Sequence, residues 1–193
     1  MWLGIAYGES TGGEGRFRLP VKKKGRKGRV VEAVRYGRIC PAMGNVGGEF
    51  GEDCLNMNIY RTGGEGEGEK KEEGEEEVKK VLVPVVVYVH GGGFNNGNGH
   101  ERNMATFVAW AKEPMIGISF NYRVGALGFL PSALTAKEGL LNLGLRDQQM
   151  CLEWVRDNAE AFGGDPENIT IMGLSAGAHS VGFLGRGCEM NDC

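Results

Sequence analysis

A chain of 193 residues, 41% hydrophobic and 24% charged, has the make-up of an ordinary globular domain and is long enough to bury one core. Its formal net charge of −3 gives no general attraction for nucleic acid. No stretch is apolar over the roughly 18 residues a membrane span needs, and no basic start followed by an apolar run marks a signal peptide.

In chain order, residues 1–60 are loop-rich: Gly, Pro and charge interrupt short apolar pieces, and one strand is expected over 55–60. Residues 16–29 carry eight basic side chains, among them Lys22, Lys23, Lys24, Arg26 and Lys27. Such a run fits a solvated loop, and nucleic acid is not expected as a partner. Residues 63–80 hold eight Glu, four Lys and five Gly. They have too little apolar area to offset the entropy of ordering, so a disordered acidic insertion is expected there.

From residue 81 the pattern changes. Residues 81–89 are β-branched and almost wholly apolar, as in a strand buried on both faces of a parallel sheet. A glycine-rich turn follows, then a helical stretch near 103–112 and a second buried strand over 115–121. Residues 140–161 read as a long amphipathic helix, 169–173 as a third strand, and Ser175 as the start of another helix. Strands alternating with helices predict an α/β fold with a mostly parallel sheet.

Two motifs carry chemistry. Gly173-Leu174-Ser175-Ala176-Gly177 fits the G-x-S-x-G turn that presents a nucleophilic serine between a strand and a helix. Ser175 would need a strained backbone there, and the flanking glycines avoid clashes inside the turn. His90-Gly91-Gly92-Gly93-Phe94 directly follows the first apolar strand. Its bare backbone N–H groups could stabilise charge developing on a carbonyl oxygen, with a further donor on Ala176. The plain alternatives are a Gly/Ser turn and a glycine hinge without catalytic role.

With these residues in order, the chain resembles the type-B carboxylesterase family, which includes cholinesterases, many esterases and some lipases. The likeness spans residues 3–183. It includes Glu52-Asp53-Cys54-Leu55-Asn56, the His90 motif, Asn121-Tyr122-Arg123-Val124-Gly125, Asp147-Gln148-Gln149 and the stretch from Phe162 to Gly177. It implies the α/β-hydrolase fold in part, with residues 1–184 as the N-terminal portion of one domain and 185–193 as a tail outside the family pattern. It implies Ser175 as the acylated nucleophile, Gly92, Gly93 and Ala176 as oxyanion-hole donors, and Cys40 with Cys54 as a disulfide. Arg16 with Glu52, and Arg123 with Asp147, resemble structural ion pairs of the family.

Leu174 stands where cholinesterases place a glutamate, and no tryptophan lies between Cys40 and Cys54. A small neutral ester is therefore the expected substrate. No cofactor is expected, and no His/Cys/Asp spacing matches a metal-ligand set. Five cysteines are an odd number, so at least one is free or paired outside the chain. Cysteine usage alone does not fix the compartment, while the Cys40–Cys54 disulfide that the resemblance implies points to an oxidising compartment and a secreted parent protein; the oligomeric state stays open.

The fold's triad runs Ser, then Asp or Glu, then His. His90 is read as support for the glycine loop, His100 as part of a wet loop, and His179 as a packed or hydrogen-bonded helix residue, so none is assigned as base. The family's acid and histidine lie far downstream, and its initial strand pair is expected to be missing before Met1. A chain truncated in this way would have little or no turnover alone. The alternatives are a non-catalytic binding protein, or a truncated remnant, on the same fold.

Overall fold

The apolar run from residue 81 forms the centre of a five-stranded sheet. Strand β3 (Val83–Val89) lies between β4 (Ile116–Phe120) and β5 (Gly164–Gly173) and runs parallel to both. Antiparallel to β4 comes β2 (Asn56–Arg61), and antiparallel to β2 comes β1 (Trp2–Ala6), giving the order β1-β2-β4-β3-β5. The computed structural model describes residues 1–25, 28, 30–44, 48–62 and 81–186. The expected insertion over 63–80, most of the 185–193 tail, and Cys188 and Cys193 lie outside the described residues.

Alternation along β3 sends side chains to two cores. Val85, Val87 and Val89 join Met57, Ile59, Ile118 and Phe120 in the larger one, covered by Cys151 and Val155 of α4 (Leu143–Asn158). Tyr88 points the other way, into a smaller cluster with Tyr60 and with Met104 and Val108 of α1 (Met104–Ala109). Helices on both faces explain why β3 and β4 read as continuous apolar runs. Each such valine contributes on the order of 1.5–3 kcal/mol by leaving water.

Pro84 marks the irregularity at the start of β3. Lacking an N–H, it cannot complete the ladder, and the register to β5 jumps from Val83↔Gly164 to Val85↔Ile169 at this point. Asp165, Pro166, Glu167 and Asn168 fill the jump, with the Glu167 N–H donating to Asp165 Oδ1 at 2.9 Å. Strand β5 is consequently longer than the 169–173 segment expected.

The N-terminal region holds a strand where loop was expected. Gly4 of β1 has φ +69° and its Cβ would stand 2.5 Å from the Arg35 carbonyl oxygen, so a side chain there is excluded. That glycine interrupts the apolar alternation and hides the strand. Helix α4 begins at Leu143 rather than 140 because Asn142, at φ 55°, breaks the helical path. Two short helices, α2 (Gly125–Phe129) and α3 (Ala133–Lys137), lie between β4 and α4, the second opened by a Ser132–Thr135 capping box. The final helix, α5 (Ala176–Gly185), follows β5 after a turn of two residues.

Cys40 and Cys54 are joined at an S–S distance of 2.02 Å, while Cys151 is a buried free thiol. Of the basic run, Lys22 pairs with Asp157 and Glu153 and Lys23 with Glu9. No helix among the described residues is long and apolar enough to cross a membrane.

Candidate active site

Ser175 follows Leu174 in the two-residue turn between β5 and α5 and is exposed, with φ 54° and ψ −122°. A non-glycine residue at positive φ costs of order 1–3 kcal/mol and persists only where its surroundings hold it. Here the Gly177 N–H donates to the Leu174 carbonyl at 2.9 Å and the His179 N–H to the Ser175 carbonyl at 3.1 Å. Both flanking glycines are sterically required. A Cβ on Gly173 would strike the backbone of Gly177, and one on Gly177 would strike the Val89 carbonyl oxygen and lie 2.8 Å from that of His90. The first turn of α5 is thus pressed onto the end of β3, where the glycine loop begins.

That loop faces the turn. A Cβ on Gly91 would sit 2.8 Å from the Leu174 carbonyl oxygen and 3.3 Å from Ser175 Cβ, so backbone meets backbone across the gap. Gly92 (φ 103°), Gly93 (φ 59°) and Phe94 (φ 61°) continue in the left-handed region. The Gly92 carbonyl accepts from the N–H groups of Asn95 and Asn96 at 3.0 and 3.1 Å, closing the loop on itself. Gly92, Gly93 and Ala176 therefore lie on the two backbone segments that meet at Ser175, and Ala176 opens α5, where the first N–H groups have no partner within the helix.

His90 is wholly buried. Its Nδ1 lies 2.9 Å from the Gly91 carbonyl oxygen, as a donor, and its ring stacks on Tyr122 at 4.1 Å and 13°. Burial lowers its pKa to about 4, opposed only in part by the bond to Gly91, so it is neutral at physiological pH. Tyr122 donates its hydroxyl to the His90 carbonyl at 2.8 Å, and burial raises its phenol above the usual value. Tyr122 stands in a motif, but its contact partner is 32 residues away, which local pattern does not reveal.

The other histidines are placed differently from expectation. His100 does lie in a turn but is half-buried there: its ring packs on Tyr36 at 4.2 Å, its Nε2 is buried, and burial lowers its pKa. His179 lies on α5 one turn beyond Ser175 with its side chain exposed, not packed. Neither Asp147 nor Arg123 is free for chemistry. Arg123 donates to both Asp147 oxygens at 2.6 and 2.8 Å, and to the Arg18 carbonyl at 2.8 Å, inside the core. Burial raises the Asp147 pKa against the opposing effect of Arg123. Arg16 and Glu52 form a second, partly exposed pair at 2.5 and 2.7 Å. No group of three or more potential metal ligands occurs among the described residues. An open groove of about 410 Å³ between Leu19, Lys22, Arg146 and Glu153 is separate from the Ser175 turn.

A serine at positive φ between two glycines that admit no Cβ faces a glycine loop at the end of the central strand, and the carboxylesterase family model matches residues 1–185. The chain belongs to the carboxylesterase family. It is 41% identical over 185 residues to secreted lipase 4 of Gibberella zeae, covering 94% of this chain and 31% of that protein. It is 34% identical over 190 residues to the para-nitrobenzyl esterase of Bacillus subtilis, covering 95% and 36% respectively. A solved PNB esterase superposes with a TM-score of 0.75 at 35% identity, covering 95% of this chain and 36% of that one. Aspergillus niger EstA gives 0.77 at 33%, covering 94% and 33%. The chain spans about a third of the length of these relatives. The fold is that of the α/β-hydrolases in part, a mixed sheet with helices on both faces.

Proposed function

We propose that this chain is the nucleophile-bearing part of a carboxylic-ester hydrolase, residues 1–184 being the N-terminal portion of the hydrolase domain. The observation that carries this is the backbone of Ser175, exposed at φ 54° between glycines that admit no Cβ. Ser175 Oγ attacks the ester carbonyl carbon and gives its proton to a general base. The carbonyl π electrons move onto oxygen, which the N–H groups of Gly92, Gly93 and Ala176 stabilise. Collapse re-forms the carbonyl and breaks the bond to the alcohol oxygen, which takes the proton back from the base as the alcohol departs and leaves Ser175 acylated. Water then gives a proton to the base and attacks the acyl carbon, and the bond to Ser175 Oγ breaks as the base returns that proton to it, releasing the acid.

Leu174, exposed and apolar beside the nucleophile, offers nothing to a cationic substrate and favours a small neutral ester. Relatives that are described as lipases and as a para-nitrobenzyl esterase are consistent with that class. None of the three histidines is assigned as base: His90 is committed to Gly91, His100 to Tyr36, and His179 lies a turn down the exposed side of α5. The chain by itself is accordingly assigned little or no turnover.

The test is labelling with a fluorophosphonate, followed by peptide mapping. Slow modification confined to Ser175 and lost in Ser175→Ala is the expected result. Labelling as fast as in whole esterases would refute the assignment of low reactivity. Labelling elsewhere with Ser175 untouched would refute the nucleophile.

A further inference from the structure

The glycine loop is held at both of its ends by one short segment, residues 121–125. At the near end, Tyr122 donates its hydroxyl to the His90 carbonyl at 2.8 Å and stacks on the His90 ring at 4.1 Å. At the far end, the Gly125 N–H donates to the Phe94 carbonyl at 2.6 Å. Beyond it, Asn121 Oδ1 accepts from the Gly99 N–H at 2.8 Å. The segment is itself anchored, since the Arg123 N–H and guanidinium both donate to the buried Asp147 carboxylate. Gly97 completes the fit, because a Cβ there would strike His90 Nδ1 and lie 2.5 Å from the Gly91 carbonyl oxygen.

Three consecutive glycines have large backbone freedom, and donors that stabilise a developing charge act well only when already in place. We infer that Tyr122 is a positioning residue for the ester-cleaving site: through His90 it fixes Gly91, Gly92 and Gly93 relative to Ser175, with the ion pair of Arg123 and Asp147 as its foundation. This rests on the assignment of Ser175 and the loop given above. Tyr122 touches no reacting atom. It acts on the loop, so its loss changes loop order and reaction at Ser175 without dissolving the sheet.

The experiment compares the full chain with Tyr122→Phe, which keeps the ring and loses the hydroxyl, and Tyr122→Leu, which loses both. Amide hydrogen exchange is followed at Asn95 and Asn96, whose N–H groups close the loop onto Gly92, and in β5. Losing one hydrogen bond of ordinary net strength predicts about tenfold faster exchange at Asn95 and Asn96 in Tyr122→Phe. Exchange in β5 stays unchanged, Tyr122→Leu changes more, and phosphonylation of Ser175 slows in parallel. Unchanged exchange in the loop, equal acceleration in β5, loss of the fold in Tyr122→Phe, or faster loop exchange with undiminished phosphonylation would each overturn the inference. Absence of any phosphonylation in the wild type would instead overturn the reading of Ser175, while the exchange pattern alone would still decide whether Tyr122 orders the loop.

Discussion

Burial of neutral His90 should make this chain less stable as the pH falls through the acidic range. The imidazole is wholly buried against Tyr122, its Nδ1 is occupied by Gly91, and its Nε2 has no partner to receive a second proton. Its pKa is held at about 4, against 6.5 in the open chain. The unfolded state therefore binds the proton first. The stability due to neutral His90 is complete above pH 6.5 and is lost progressively as pH falls towards 4. The full gap is worth about 3 kcal/mol, of which about 2 kcal/mol disappears between pH 7.5 and pH 5. The assay is urea unfolding at several pH values for the wild type and for His90→Asn, which has no titrating ring. His100 changes stability in the same direction but is present in both proteins, so the difference between the two slopes isolates His90. Wild type should lose about 2 kcal/mol more than the variant over that interval. Parallel profiles would refute the reasoning, whatever the absolute stability of the variant.

Three further predictions use the same unfolding measurement. Gly177→Ala drives a methyl into backbone oxygens that cannot swing aside and should cost about 3 kcal/mol, whereas Gly182→Ala, in open space on the same helix, should gain about 0.5–1 kcal/mol. Asp147→Ala leaves the Arg123 guanidinium buried without its carboxylate and should cost about 3–5 kcal/mol. Replacing Cys40 and Cys54 together by serine opens a link with a sequence separation of 14 and should cost about 3 kcal/mol, seen as a lower urea midpoint than in the oxidised wild type.

What sequence could show follows from how local each signal is. The strands β3 and β4 were legible because burial on two faces leaves little room for polar residues. The Ser175 turn and the glycine loop were legible because steric need confines several positions to glycine within a few residues. Where a single residue overrides a pattern, the reading failed: Gly4 conceals β1, Asn142 delays α4, and Pro84 lets polar residues enter the first half of β5. Tertiary contacts were out of reach for a different reason. The partners of His100 and Tyr122 come from segments 64 and 32 positions away, so the burial of one and the supporting contact of the other depend on topology rather than on neighbours in sequence.

Strain and support are separated in this molecule. Four non-glycine residues among those described have positive φ, and two of them, Phe94 and Ser175, belong to the candidate site. Neither is held by its own burial. Phe94 is fixed by the bond from Gly125 and by its ring against Phe129 at 4.8 Å, and Ser175 by the backbone bonds of the α5 turn. Positive φ at an exposed serine contributes nothing to stability, so its persistence requires contacts elsewhere that over-determine the local backbone. Those contacts converge on the end of β3: Gly177 abuts Val89 and His90, Gly91 abuts Leu174, and Tyr122 grips His90. Removal of the Ser175 hydroxyl should therefore leave the fold intact, while changes at Gly177, Gly91 or Tyr122 should displace the backbone of the candidate site.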